Sequence, residues 1–382
     1  MPPLLRLFAL CNLLIGTGAF VLGGILSPLA HSLGVSVAAA GQAMTAYALA
    51  TAVLAPLALV LTGRWPRKRV LCVSLAVFAA GNALCALASS LGALLAGRVL
   101  MGLGAVFTAV AAGIAVALVE PARRGRALSL VFIGISLSYV IGLPLGAWLG
   151  LRFGWQWPVA LVAALSALAS VVLAVALPRD IDAPGASFAG LGALLRRADV
   201  LRALALTLLY FVAIFCVFSY IGPVLQALVP MSTEAMSVTL MLFGLSGVLG
   251  TVVGGWANDR FGASRTLTVQ LTVLAAMMLL VPLTRGHHAL LVAVFVAWGV
   301  AGFGMMTPQQ SRLAALAPAQ APILLSLNSS MLYVGTALGA ALGGPASAWV
   351  GFDRLAWVGV PFAIAGWLLL RTGPRRDGMM AA

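Results

Sequence analysis

The sequence predicts an all-α integral membrane protein, with twelve transmembrane helices arranged as two bundles of six. Three observations carry that expectation. The chain is 63% hydrophobic and only 8% charged, with a mean hydropathy of +1.12, and a soluble fold of that composition could not cover its surface with polar side chains. Its apolar residues fall in runs comparable to the ~20 residues that a helix needs to cross a bilayer. The chain also repeats itself. The turn Thr62-Gly63-Arg64-Trp65-Pro66-Arg67-Lys68-Arg69 has an echo at Gly255 to Arg265, each between two apolar runs. A shift of 196 positions lays Arg64 on Arg260, Pro66 on Gly262 and Arg69 on Arg265.

About twelve runs meet the length criterion: 7–29, 39–61, 70–90, 92–118, 127–149, 156–177, 202–227, 236–257, 266–284, 289–314, 321–348 and 354–370. They are continuously apolar rather than alternating, which favours helices over a β-barrel. The first run is membrane-length and lacks a small-x-small cleavage site, so it reads as a retained helix rather than a signal peptide.

The formal net charge of +14 invites a nucleic-acid reading, which the distribution argues against. With the amino terminus inside, eighteen of the 22 cations fall on cytoplasmic segments, among them Arg64, Arg67, Lys68, Arg69, Arg179, Arg196, Arg197, Arg375 and Arg376. Arg152, Arg285 and Arg354 fall opposite, and Arg98 falls within a helix. The basicity therefore records membrane topology and contact with anionic lipid, both termini being cytoplasmic. Cys11, Cys72, Cys85 and Cys216 lie in apolar runs without pairing or ligand spacing and read as small buried hydrophobes.

Helix one carries Asn12 and Thr17 at membrane depth, and Gly16-Thr17-Gly18 allows a neighbouring helix to approach closely. Helix two places Gln42 and Thr45 on one face, with Tyr47 nearby. Such groups either satisfy one another across helix contacts or line a polar path. Helix four holds Gly97-Arg98, the one cation well inside a span. It is either a coupling or substrate-orienting charge, or an arginine bonded to helix-end carbonyls with its head drawn outward. Helix five has Gly142, Gly146 and Gly150 at steps of four with Pro144 between them, and helix eleven repeats the groove with Gly335, Gly339 and Gly343. Phe153, Trp155 and Trp157 read as an aromatic belt at the interface.

Pro178 to Leu201, with Asp180, Asp182, Pro184 and Gly185, reads as a cytoplasmic tether with nothing to form a core. It separates a bundle ending at 178 from one beginning at 202. Helix seven carries Tyr210, Phe211 and Phe215 and breaks near Ser219-Tyr220. Helix ten ends at Thr307 to Arg312, and helix eleven opens at Ser326 with Asn328, expensive to bury unpartnered. With Phe20, Tyr139, Tyr220 and Tyr333, these polar and aromatic groups make up the candidate cavity lining.

The six-and-six split, the paired turns, Gly97-Arg98 with Gly102, and Gly142-x-Pro144-x-Gly146 together resemble the major facilitator superfamily. Gly16-Thr17-Gly18-Ala19-Phe20-Val21, Leu61 to Arg69, Phe153-Gly154-Trp155, Ser219-Tyr220-Ile221-Gly222-Pro223 and Leu327-Asn328-Ser329-Ser330 resemble its drug:proton antiporter subgroup, which contains bacterial sugar-efflux, arabinose-export and chloramphenicol-resistance proteins.

The resemblance implies a monomeric bacterial inner-membrane exporter of small neutral or weakly polar solutes, whose two bundles alternate around a central site. It implies Asp259, Arg260 and Arg265 as an inner latch. Arg64, Arg69, Gly142, Pro144, Gly146, Gly255 and Gly262 belong to its gate and hinges, and Arg98 to its coupling. The superfamily's hinge aspartate is Gly63 here, and many relatives carry glutamate where this chain has Ala19. No Asp or Glu falls inside an expected span, so His31 and Glu234, near the outer face, are the nearest groups for a proton.

A facilitator or uptake permease of the same fold is the alternative. A membrane enzyme is disfavoured because no metal-ligand cluster, nucleophile elbow or phosphate loop is present, and no cofactor, metal or nucleic acid is expected. A sensor is disfavoured for want of a soluble domain.

Overall fold

The computed structural model describes residues 3–120, 123–178 and 191–372. Arg179, Asp180, Asp182, Pro184 and Gly185 of the expected tether lie outside the described residues, as do Arg375 and Arg376. The described chain is helical: α1 (Leu4–Gly24), α2 (Val37–Leu61), α3 (Arg67–Ala86), α4 (Leu91–Ala117), α5 (Arg124–Phe153), α6 (Gln156–Ala176), α7 (Ala198–Phe218), α8 (Thr233–Phe261), α9 (Ala263–Thr284), α10 (His288–Leu316), α11 (Pro318–Val350) and α12 (Leu355–Arg371). Eleven are long and apolar enough to cross a membrane, and α12 is a shorter apolar helix of 17 residues. The fold class is the one expected, all-helical with twelve apolar helices.

The chain forms two compact units. One holds Met1–Ser187 with Ser232–Met241, and the other holds Phe188–Met231 with Leu242–Ala382. In the first, α1 packs on α5 and α6, α3 on α4 and α6, and α2 on α4. In the second, α7 packs on α11 and α12, α9 on α10 and α12, and α8 on α10. Adding six to each helix number of the first set gives the second. The repeat read from the two turns is thus a repeat of helix packing.

Glycine makes the closest of these contacts possible. A Cβ on Gly339 would stand 2.8 Å from the Val212 carbonyl and 2.9 Å from the Cys216 nitrogen, and Gly335 would meet the Leu208 carbonyl at 2.6 Å. In the first unit Gly142 faces Thr17, Gly146 faces Val21, and Gly150 would meet Ile25 at 2.7 Å. Lipid supplies no hydrophobic drive between helices, so such backbone approach is what packing in a membrane depends on. Pro144 has no N–H to give the preceding turn, and α5 answers with a π-helical segment, Ser138–Gly142.

Several expected boundaries move. The first run breaks at Ile25, and Leu26–Ser32 is a separate short helix. Helix seven breaks at Ser219-Tyr220 as expected, with Ile221–Leu228 following, but it starts at Ala198 rather than 202. Thr307 to Arg312 lie inside α10, and Ser326 lies inside α11. Asp199 and Glu234 stand in the first turns of α7 and α8, where the positive end of the helix dipole favours an acid. Asp259 lies in the last turn of α8. Acids are therefore present in the helices, though only in end turns. The aromatic belt is also corrected: Phe153 and Trp157 are exposed, whereas Trp155 turns inward at 2% exposure.

The tether is more built-in than its composition implied. Leu191–Leu194 is a single helical turn. Leu194 is fully buried against Val200, Ala203, Leu204, Leu313 and Leu324. Arg197 then grips Asp199 with two hydrogen bonds, 3.2 and 2.7 Å, and donates to the Leu316 carbonyl at 3.0 Å. That carbonyl ends α10 and has no acceptor role left within its helix. In the first unit Lys68 does the same for α6, its Nζ donating to the Leu177 carbonyl at 2.6 Å.

Candidate functional site

Arg98 is the centre of the first unit's polar interior. It is 1% exposed. Its Nε donates to the Ala43 carbonyl at 3.0 Å, Nη1 to the Gly18 carbonyl at 2.7 Å, and Nη2 to the Ala19 carbonyl at 2.6 Å. Met101 and Met44 place their sulfurs 3.7 and 3.3 Å from Nη1 and Nη2. The Tyr47 ring lies beneath the guanidinium, 4.9 Å from its centroid, a cation–π contact. The carbonyls belong to the bodies of α1 and α2 rather than to helix ends, and the side chain is not drawn outward. Every partner is neutral, so a full positive charge is held by dipoles, sulfur and a ring face.

The other expected lining groups divide. Asn12 is buried, giving its amide N–H to the Val131 carbonyl at 2.9 Å and accepting from Thr108 at 2.8 Å. Thr17 turns back to the Leu13 carbonyl, 2.8 Å. Thr45 donates to Gln42 at 3.1 Å, as their shared face requires. Phe20 and Tyr139 stack with centroids 5.1 Å apart. In the second unit Tyr210, Phe211 and Phe215 pack as a ladder, 4.9 and 5.8 Å between successive rings. Tyr220 donates to the Ala340 carbonyl at 2.8 Å. Tyr333 is half-buried. Asn328 is buried and accepts from Thr207 at 2.6 Å, and Gln309 reaches Thr207 at 2.9 Å and the Ala203 carbonyl at 2.6 Å.

Thr207, Gln309 and Thr108 were not among the sequence candidates. The signal available was a hydroxyl or amide at membrane depth, as for Asn12, but Gln309 fell in the polar closing stretch of the expected helix ten and read as part of its end.

His31 lies exposed in the short helix after α1. Glu234 is exposed and paired with Arg152 at 3.5 Å. Asp259, Arg260 and Arg265 are exposed; Asp259 accepts from Asn258 at 3.2 Å, and Arg260 leans on the Phe261 ring. Arg64 is exposed, and Arg69 stacks on Trp65 at 4.5 Å. Pro66 and Gly262, matched by the repeat, both open the following helix, with φ of −54° and +80°. Only glycine takes the second value readily. Gly255 has ordinary room around it, and it is Gly250 and Gly254 that meet α10, at Val300 and Gly304. Among the described residues no three His, Cys, Asp or Glu side chains come together to hold a metal.

Duplicated six-helix packing of apolar, membrane-length helices is the architecture of a membrane transporter. The Major Facilitator Superfamily model matches residues 8–322 and 231–378, and the chain belongs to that family. The Escherichia coli K12 inner membrane transport protein YdhP is 32% identical over 366 residues, covering 95% of this chain and 94% of its own. The Bacillus subtilis MFS-type transporter YbcL is 30% identical over 369 residues, covering 95% and 94%. Among solved structures, a D-xylose–proton symporter superposes with a TM-score of 0.79 at 15% identity, covering 97% of each chain. The nucleoside transporter NupG superposes at 0.76 and 15%, covering 96% of this chain and 98% of its own. At that identity these two speak for the fold alone.

Proposed function

We propose that this chain is a proton-coupled exporter of small neutral or weakly polar solutes, such as sugars, nucleosides or uncharged drugs, working by alternating access in a bacterial inner membrane with both termini cytoplasmic. The observation that carries the solute class is the chemistry of the buried groups. The only buried charged side chains among the described residues are Arg67 and Arg98, and the rest are amides and hydroxyls. Such an interior offers a cation no counter-charge, whereas it offers a neutral polyol or a nucleoside donors and acceptors of matching kind. Export and proton coupling are supported by the subgroup's motifs, from Gly16 to Val21 and from Gly142 to Gly146. In this reading Arg98 serves coupling, Asp259, Arg260 and Arg265 form the inner latch, and the half-buried Gln42, Thr45, Tyr139 and Tyr333 contribute to the solute path.

One observation favours a second reading. With no buried carboxylate or histidine among the described residues, the group that must change protonation in a coupled cycle would have to be His31 or Glu234. An uncoupled facilitator needs no such group. Accumulation of labelled arabinose, a purine nucleoside and chloramphenicol in efflux-deficient bacteria, with and without a protonophore, separates the two. Lowered accumulation restored by the protonophore supports coupled export, and protonophore-insensitive equilibration supports the facilitator.

A further inference from the structure

The two units share a polar fastening that the sequence does not display as a motif. In the first, Asn12 of α1 bonds Thr108 of α4 and the Val131 carbonyl of α5. In the second, Thr207 of α7 bonds Gln309 of α10 and Asn328 of α11. The six positions correspond in pairs, 12 with 207, 108 with 309 and 131 with 328, at offsets of 195, 201 and 197, close to the 196 that relates the two turns. The chemistry has been dealt out differently: the hub is an amide in the first unit and a hydroxyl in the second. The same three helices meet at the same level. The third helix of each set carries a fully buried apolar residue one turn before its bonded position, Ala127 before Val131 and Leu324 before Asn328.

We propose that Thr207 and Gln309, with Asn12 and Thr108 as their counterparts, are positioning residues of the transport cycle. Each set fastens helices one, four and five of its half, or their equivalents, into a single block. The idea rests on the alternating-access reading, in which each half must move without coming apart. Apolar contacts alone leave helices free to slide and rotate in lipid, because no hydrophobic drive holds them and the contacts carry no direction. A directional bond in a water-free interior fixes depth and rotation together. Arg98 cannot do this for α5, since its carbonyl partners lie on α1 and α2. Gln309 is placed by both N–H bonds while its Oε1, buried, accepts none among the described residues. The second fastening therefore turns on the Thr207 hydroxyl, which accepts from one neighbour and donates to the other.

The test uses the full chain in membranes, with the half-buried native thiol removed by Cys72→Ala. Single reporter thiols are introduced as Ala127→Cys or Leu324→Cys, and their modification by N-ethylmaleimide is timed by mass spectrometry. Thr207→Val keeps the side-chain shape and removes the hydroxyl. It should speed modification at 324 by about tenfold or more while leaving 127 unchanged, because opening becomes local to one block. Thr108→Val should do the reverse, and Thr207→Ser should restore slow modification at 324. Unchanged rates in both valine variants would show that packing alone holds the blocks. Equal acceleration of both reporters by either variant would show general loosening. Either outcome overturns the proposal. Should Thr207→Val fail to reach the membrane, Asn328→Leu removes the Thr207–Asn328 bond and is read by the same criteria. No solute enters the assay, so its failure would leave the transport reading untouched.

Discussion

Arg98 and Ala19 are joined by a 2.6 Å hydrogen bond from guanidinium Nη2 to a backbone carbonyl. The residue that answers the buried charge is thus one whose side chain can carry no charge. Many relatives in the subgroup that the motifs resemble carry glutamate at this place. Here α1 offers two adjacent carbonyls instead, those of Gly18 and Ala19.

Arg98→Met separates a functional from a structural role. The substitution removes a buried cation together with its desolvation cost, so stability should stay within about 2 kcal/mol of the parent. Transport should be lost. Thermal unfolding in detergent, run beside the accumulation assay, checks both, and a stable variant that still transports would remove Arg98 from the mechanism.

Gly339→Ala and Gly113→Ala should differ in sign. The first puts a methyl 2.8 Å from a carbonyl that belongs to the backbone of α7, and overpacking of that kind costs about 1–3 kcal/mol. The second meets nothing within 4 Å and replaces a poor helix former in α4, gaining up to about 1 kcal/mol. Unfolding temperatures of the two variants make the comparison.

Helix count and repeat were legible in the sequence because both are written in composition: apolar length, and a basic turn that recurs. The matched glycine grooves were legible for the same reason, as steps of four are visible in one dimension. The fastening at Thr207 was not, because a hydroxyl in an apolar run looks the same whether it faces lipid, its own helix or a partner. Gln309 was hidden by its neighbours, since the polar stretch Thr307 to Arg312 reads as a helix end facing water and not as a buried contact. The docking of Leu194 was hidden by the shortness of its stretch; a leucine pair followed by two arginines gives no sign that a buried site on α10 and α11 is waiting for one of them.

Leu194→Ala should release that docking. A fully buried leucine truncated to alanine costs about 2–5 kcal/mol, and here the loss falls on a short segment that can come away by itself. Trypsin should then cut at Arg196 and Arg197 in folded protein, where the parent resists. Equal resistance would show that the Arg197–Asp199 pair and the Leu316 carbonyl hold the segment without the leucine.

The basic turns predict topology. Alkaline phosphatase inserted at Gly154, between α5 and α6, should be active, because that turn is expected to face the periplasm. Inserted at Gly262, between α8 and α9, it should be inactive. Activity at Gly262 would reverse the assignment and with it the placing of His31 and Glu234 near the outer face.

The most direct test of coupled export uses purified protein in proteoliposomes loaded at acid pH and diluted into alkaline buffer, with labelled arabinose, a purine nucleoside and chloramphenicol offered outside in turn. A proton-coupled exporter should concentrate at least one of them inside above the external level, and a protonophore should collapse that excess. Entry that stops at equal concentration and ignores the imposed gradient would contradict the account and identify an uncoupled facilitator.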